Sequence, residues 1–154
     1  VVQIVGEFED KLNAADLTLL IQKPETPVYV MADGRHFWRV IDNLMNNICK
    51  YAQPGTRVYV DLRENGGQVE LIFRNTSRYP LNISSEELME RFVRGDESRN
   101  TEGSGLGISI AKSLMELMGG SFMLYVDGDL FKVVLGFAQI EEEKEPLNKD
   151  KSGK

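Results

Sequence analysis

Two stretches of this sequence carry residue types suited to phosphate and to a hard metal ion. In residues 40–51, VIDNLMNNICKY, Asn43, Asn47 and Lys50 fall at i, i+4 and i+7. That spacing puts all three on one flank of a helix. Two amide oxygens one turn apart suit Mg²⁺, which keeps several waters and needs few protein ligands. A lysine on the next turn can reach a phosphate. A solvated polar flank would read the same way. The second stretch is residues 102–109, EGSGLGIS, with glycine at 103, 105 and 107. Ile108, Ala111, Leu114, Met115 and Met118 follow at helical spacing. Unpaired N–H groups and the positive dipole end of a helix start attract anions, and glycines there let a phosphate approach the backbone. A hinge would use glycines too. Neither familiar phosphate loop is present: G-x-x-x-x-G-K-[ST] is missing, and Ile108 stands where G-x-G-x-x-G needs glycine.

The elements that must position these residues can be read from periodicity. Phe37, Val40, Ile41, Leu44 and Ile48 form an apolar stripe on a helix over residues 34–52, with Asp33 as its N-cap and Pro54-Gly55 as its stop. Upstream, residues 2–12 have helical spacing, and residues 17–21 and 28–31 read as strands around a turn at Pro24 and Pro27. Strands over 57–63 and 69–73 flank Asn65-Gly66-Gly67, a strong hairpin signal. The segment 75–102 is polar, with one short helix opened by a Ser84/Glu87 capping box. The glycine-led helix runs to Met118 and is closed by Gly119-Gly120. A last hairpin joins 121–126 to 130–137 about Asp127-Gly128-Asp129. Helices mixed with hairpin-linked strands predict an α/β two-layer sandwich, with a mixed, mostly antiparallel sheet and about three helices on one face.

Composition narrows the partners. A net charge of −6 argues against a broad nucleic-acid surface, though a local basic cluster could still hold phosphate. The single cysteine, Cys49, excludes an internal disulfide and reads as a small apolar filler. Asn75-Thr76-Ser77 and Asn82-Ile83-Ser84 fit the glycosylation pattern, which is short enough to arise by chance. No signal peptide or apolar run of membrane-spanning length is visible, so the expected fragment is soluble and makes no direct membrane contact. Residues 1–140 are expected to form one domain. The charged tail 141–154, EEEKEPLNKDKSGK, is expected to be disordered.

Taken together, these stretches resemble the catalytic, ATP-binding domain of sensor histidine kinases, in the wider Bergerat-fold family that includes gyrase, Hsp90 and MutL. Residues 40–51 look like its N box, and residues 103–107, GSGLG, like its G2 box. Residues 88–99, LMERFVRGDESR, resemble the F box and the start of the ATP lid, and Gly119-Gly120 sits where a closing glycine pair is usual. The resemblance implies that Asn47 ligates Mg²⁺, with Asn43 one turn before it. It implies that Lys50 and Tyr51 contact phosphate and nucleotide, and that Gly103, Ser104, Gly105, Leu106 and Gly107 cradle the phosphates. Phe92 matches the F-box aromatic, or serves only as a core anchor. Arg94 and Arg99 match lid cations near the phosphates, or are surface charges. One departure stands out. The family's G1 box is Asp-x-Gly-x-Gly, whose carboxylate accepts from the adenine amino group. Here Asn75 stands at that position and no glycine follows it in Thr76-Ser77-Arg78. Its amide oxygen can still accept that bond, without the assistance of a charge.

The function this implies is transfer of the γ-phosphoryl of Mg·ATP to a histidine on a separate dimerisation and phosphoacceptor domain. Asn43, Lys50, Arg94 and Arg99 would act in catalysis. A gyrase- or Hsp90-like ATPase would need a glutamate where Asn43 stands, because an amide cannot take a proton from water. An ATP-sensing module without catalysis is the remaining alternative. The resemblance also implies a membrane-anchored homodimer with this domain in the cytoplasm and a response regulator as partner. The isolated fragment is expected to be monomeric.

Overall fold

The computed structural model describes residues 1–94 and 106–141. In chain order the elements are α1 (Val2–Gly6), α2 (Glu9–Ala14), β1 (Thr18–Gln22), β2 (Tyr29–Val30), α3 (Gly34–Tyr51), β3 (Arg57–Asn65), β4 (Gln68–Thr76), α4 (Ser85–Arg94), α5 (Leu106–Leu117), β5 (Ser121–Asp127) and β6 (Leu130–Ile140). The strands form one sheet in the order β1-β3-β4-β6, with β5 and the two-residue β2 on the far edge of β6. Among the described strands only β1 runs parallel to its neighbour. The long strands are joined by hairpins, which require antiparallel pairing.

Local chemistry sets the turns. Gly66 and Gly67 both have positive φ, +58° and +81°, the geometry that closes the β3–β4 hairpin with the twist of its strands. Helix α5 ends in a Schellman motif: Gly120 N–H donates to Met115 O (2.9 Å) and Gly119 N–H to Glu116 O (3.0 Å), with Gly119 at φ +75°. Gly120 also needs its missing side chain. A Cβ there would stand 2.8 Å from Gly136 O and from Met115 Cε.

The core lies between the sheet and the helices. Val40, Ile41, Leu44, Met45 and Ile48 of α3 and Ile108, Ala111 and Met115 of α5 are buried, as are Val58, Val60, Leu71, Phe73, Val133 and Leu135 from the inner face of the sheet. Alternation along β3 and β4 supplies that face.

Several expected elements differ in extent. The amino-terminal helix is two short helices, because past Gly6 the chain tightens into i→i−3 bonds, Phe8 N–H donating to Val5 O at 3.1 Å. Val5, Phe8 and Leu12 still all reach the core, so the apolar spacing had a packing role without a continuous helix. The expected strand at 28–31 shrinks to two residues, paired only with Gln139 and Ile140. β3 and β4 instead each extend to nine residues. The last strand reaches Ile140, where the domain was expected to end; residues 142–154 lie outside the described residues.

Candidate functional site

The site is built at the carboxyl end of α3. Asp33 starts this helix: its carboxylate accepts from the backbone N–H of Arg35 (2.9 Å) and His36 (3.1 Å). Those bonds, that to His36 foremost, hold the Asp33 carboxyl below its ordinary value. At the other end Ala52 turns extended, and the chain is stitched to the end of β4. Gln53 N–H donates to Thr76 O (2.8 Å), and Arg78 N–H donates to Tyr51 O (2.8 Å).

Between these stitches and α4 opens a cavity of about 310 Å³. Asn47 and Tyr51 of α3 line one side, and Asn75 and Ser77 another. Leu81, Ile83, Leu88, Phe92 and Phe131 supply apolar walls. Phe92 meets Phe131 edge-to-face, with ring centroids 6.5 Å apart at 86°. The size and the mixture of apolar walls with a few polar groups are those of a small-molecule site.

Asn75 is only 4% exposed. It sits on β4 opposite Phe131 of β6, and its side-chain amide has no hydrogen-bond partner among the described residues. Ser77 is also buried; its Oγ accepts from Tyr79 N–H (3.2 Å), which leaves the hydroxyl proton free to donate into the cavity. No aspartate or glutamate lines the cavity among the described residues. Its one formal charge there is Arg91, whose guanidinium lies 3.7 Å from Glu87 one turn earlier on α4.

The expected site residues divide into three groups. Asn47, Tyr51, Asn75 and Phe92 line the cavity. Asn43 and Lys50 lie beside it. Asn43 packs against the start of α5, where a Cβ on Gly107 would lie 3.6 Å from its Oδ1, and its Nδ2 is buried without a partner among the described residues. The Lys50 ammonium lies over the Tyr51 ring, 5.0 Å from the centroid. Arg99, Gly103, Ser104 and Gly105 lie outside the described residues, as do the side chains of Arg94 and Leu106. Cys49, half-buried on the same helix, has its thiol pushed above its ordinary value by burial, with Lys11 pulling the other way. That opposes thiolate formation.

The lining also includes residues that sequence reading missed. Ser77 could have been found: two positions after Asn75, it shares that residue's face of an extended chain. Arg91 stands three residues before the arginine chosen, on the same helix. Phe131 enters only through its cross-strand pairing with Asn75, which no local pattern reports.

For a metal, the donor set is neutral amides. No cluster of three or more histidine, cysteine or acidic side chains exists among the described residues. Asn47 in the cavity and Asn43 one turn before it fit a hydrated Mg²⁺ that takes its remaining ligands from phosphate and water.

The chain is similar to known proteins in both sequence and fold. Residues 32–146 match the family described as histidine kinase-, DNA gyrase B-, and HSP90-like ATPase. Among curated proteins, the chain is 29% identical over 138 residues to the probable sensor kinase SilS of Salmonella typhimurium, covering 88% of this chain and 28% of that one. It is 34% identical over 110 residues to the probable sensor protein PcoS of Escherichia coli, covering 69% and 24%. The chain thus spans about a quarter of the length of these relatives. Among solved structures, the catalytic domain of histidine kinase ThkA superposes with a TM-score of 0.73 at 20% identity, covering 88% of each chain. With its mixed sheet, its helices on one face and its cavity at the end of α3, the chain belongs to the histidine kinase-, DNA gyrase B- and HSP90-like ATPase family and has the fold of a sensor histidine kinase catalytic domain.

Proposed function

We propose that this chain binds Mg·ATP in the cavity at the end of α3 and donates the γ-phosphoryl group to a histidine of a separate dimerisation and phosphoacceptor domain. The observation that carries the reading is the convergence of Asn47 with the buried Asn75 amide, unpaired among the described residues, in one apolar-walled cavity, with Asn43, one turn before Asn47, against Gly107. The apolar walls suit a purine ring, and the Asn75 edge would take its polar atoms. Asn47 and Asn43 would hold the metal, and the helix mouth at Gly107 would face the phosphates. Bound Mg²⁺ would neutralise charge on the phosphate oxygens. Lys50, Arg94 and Arg99 would add positive charge around the transferred group.

In the transfer, the bond from the γ-phosphorus to its bridging oxygen breaks, ADP leaves, and a P–N bond forms to the acceptor imidazole. Asn43 supports this reading over hydrolysis, because an amide there offers no base for water. The parent protein would be a homodimeric sensor kinase anchored in the membrane, passing its phosphoryl group to a response regulator. Calorimetric titration with ATP, in the presence and absence of Mg²⁺, tests the binding half. We expect a saturable one-to-one heat that strengthens with the metal; no heat under either condition would refute the reading.

A further inference from the structure

Adenine and 6-oxopurines present opposite hydrogen-bonding edges. Adenine donates from its 6-amino group and accepts at N1, whereas a 6-oxopurine accepts at O6 and donates from N1–H. A carboxylate can serve only the first pattern, since it is acceptor-only when ionised. The polar edge of this cavity contains no carboxylate among the described residues. It contains the Asn75 amide, 4% exposed and without a partner among those residues, and the Ser77 hydroxyl. Both groups are reversible. An amide turned by 180° exchanges its C=O for its NH₂, and a hydroxyl can donate or accept by rotating its proton. No hydrogen bond among the described residues pins the Asn75 amide in one orientation, and the single bond on Ser77 Oγ, accepted from Tyr79 N–H, leaves its proton and a second lone pair available.

Resting on the nucleotide reading of this cavity, we propose that the site is indifferent to the 6-substituent of the purine, so that it takes 6-oxopurine triphosphates as well as ATP, with Asn75 and Ser77 as the residues that set this breadth. Leaving a buried amide unpaired against the wrong base is what makes a polar pocket selective, and here the amide is never left unpaired.

The test is calorimetric titration of the intact chain with ATP and with inosine triphosphate, which differs from ATP at the 6-position and its N1 proton and lacks the 2-amino group of guanine. The expected result is a pair of affinities within about tenfold of each other. In Asn75→Asp, the acceptor-only carboxylate should push the preference for ATP beyond about tenfold. Asn75→Ala should weaken both nucleotides by a similar factor, and this variant carries the test if the aspartate prevents folding. A wild-type preference for ATP beyond about tenfold overturns the inference while leaving the nucleotide site standing. Unchanged affinities in Asn75→Ala also overturn it. Failure of both nucleotides to bind the wild type would instead refute the nucleotide site, and this breadth with it.

Discussion

At the scale of the residue, the two asparagines of α3 do different things although they lie one turn apart. Asn47 opens into the cavity, while Asn43 touches Gly107 and buries an Nδ2 without a partner among the described residues. The metal dependence of nucleotide binding should therefore rest mainly on Asn47. Asn47→Ala is expected to cut the strengthening by Mg²⁺ at least about tenfold. Calorimetric titration with and without the metal checks it, and an undiminished metal effect would remove Asn47 from the site. Periodicity put Asn43, Asn47 and Lys50 on one flank, which is correct as geometry of a helix. It could not say which of them a neighbouring element would cover, because that depends on where α5 packs. Asn75 shows the reverse. Its position at a strand end was legible, but its burial follows from pairing with Phe131, far away in sequence.

At the scale of the element, the helix ends were legible because their chemistry is local. Asp33 caps α3 as its position implied, and Ser84 Oγ accepts from Glu87 N–H (3.1 Å) at the start of α4. Asp33→Ala should lower the unfolding midpoint and fray the first turn of α3, measured by thermal melts followed by circular dichroism. The pH dependence has a definite sign. The Asp33 carboxyl is held below its ordinary value, so its contribution is fully present above the unfolded-state pKa, about 3.9. It is lost as pH falls through the lower folded-state value. The melting difference between wild type and Asp33→Ala should accordingly be constant near neutrality and shrink below about pH 4. A difference that grows on acidification would contradict the cap. The end of α5 makes a sharper demand. A Cβ on residue 120 would collide with Gly136 O on the neighbouring strand, so Gly120→Ala should cost about 1–3 kcal/mol. A urea midpoint equal to wild type would show that the sheet yields there. The amino-terminal break at Gly6 and the short β2 were not legible, since both are settled by what they pack against rather than by their own spacing.

At the scale of the whole molecule, the sandwich followed from the order of helices and hairpins, whereas the closure of the cavity did not. It depends on backbone bonds between the end of α3 and the end of β4, some twenty-five residues apart in sequence, as in Gln53 N–H to Thr76 O at 2.8 Å. That architecture bears on what this chain can phosphorylate. Its only histidine, His36, is half-buried in the first turn of α3, where its backbone N–H donates to the Asp33 cap. The cavity lies at the opposite end of the same helix. At 1.5 Å per residue, positions 36 and 47 are separated by roughly 16 Å along the axis. Phosphoryl transfer needs the reacting atoms about 3–3.5 Å apart, and a side chain on a rigid helix cannot close that gap. The residue after His36, Phe37, is half-buried and edge-to-face with Phe137 at 5.8 Å between centroids, which ties this turn to the sheet. We therefore expect the chain alone to bind nucleotide without acquiring label from γ-labelled ATP, while addition of a phosphoacceptor domain from the parent protein supplies the missing histidine. Incubation with labelled ATP, followed by acid treatment and peptide mapping, decides the matter. Acid-labile label on His36 would overturn the view that the acceptor lies on another domain.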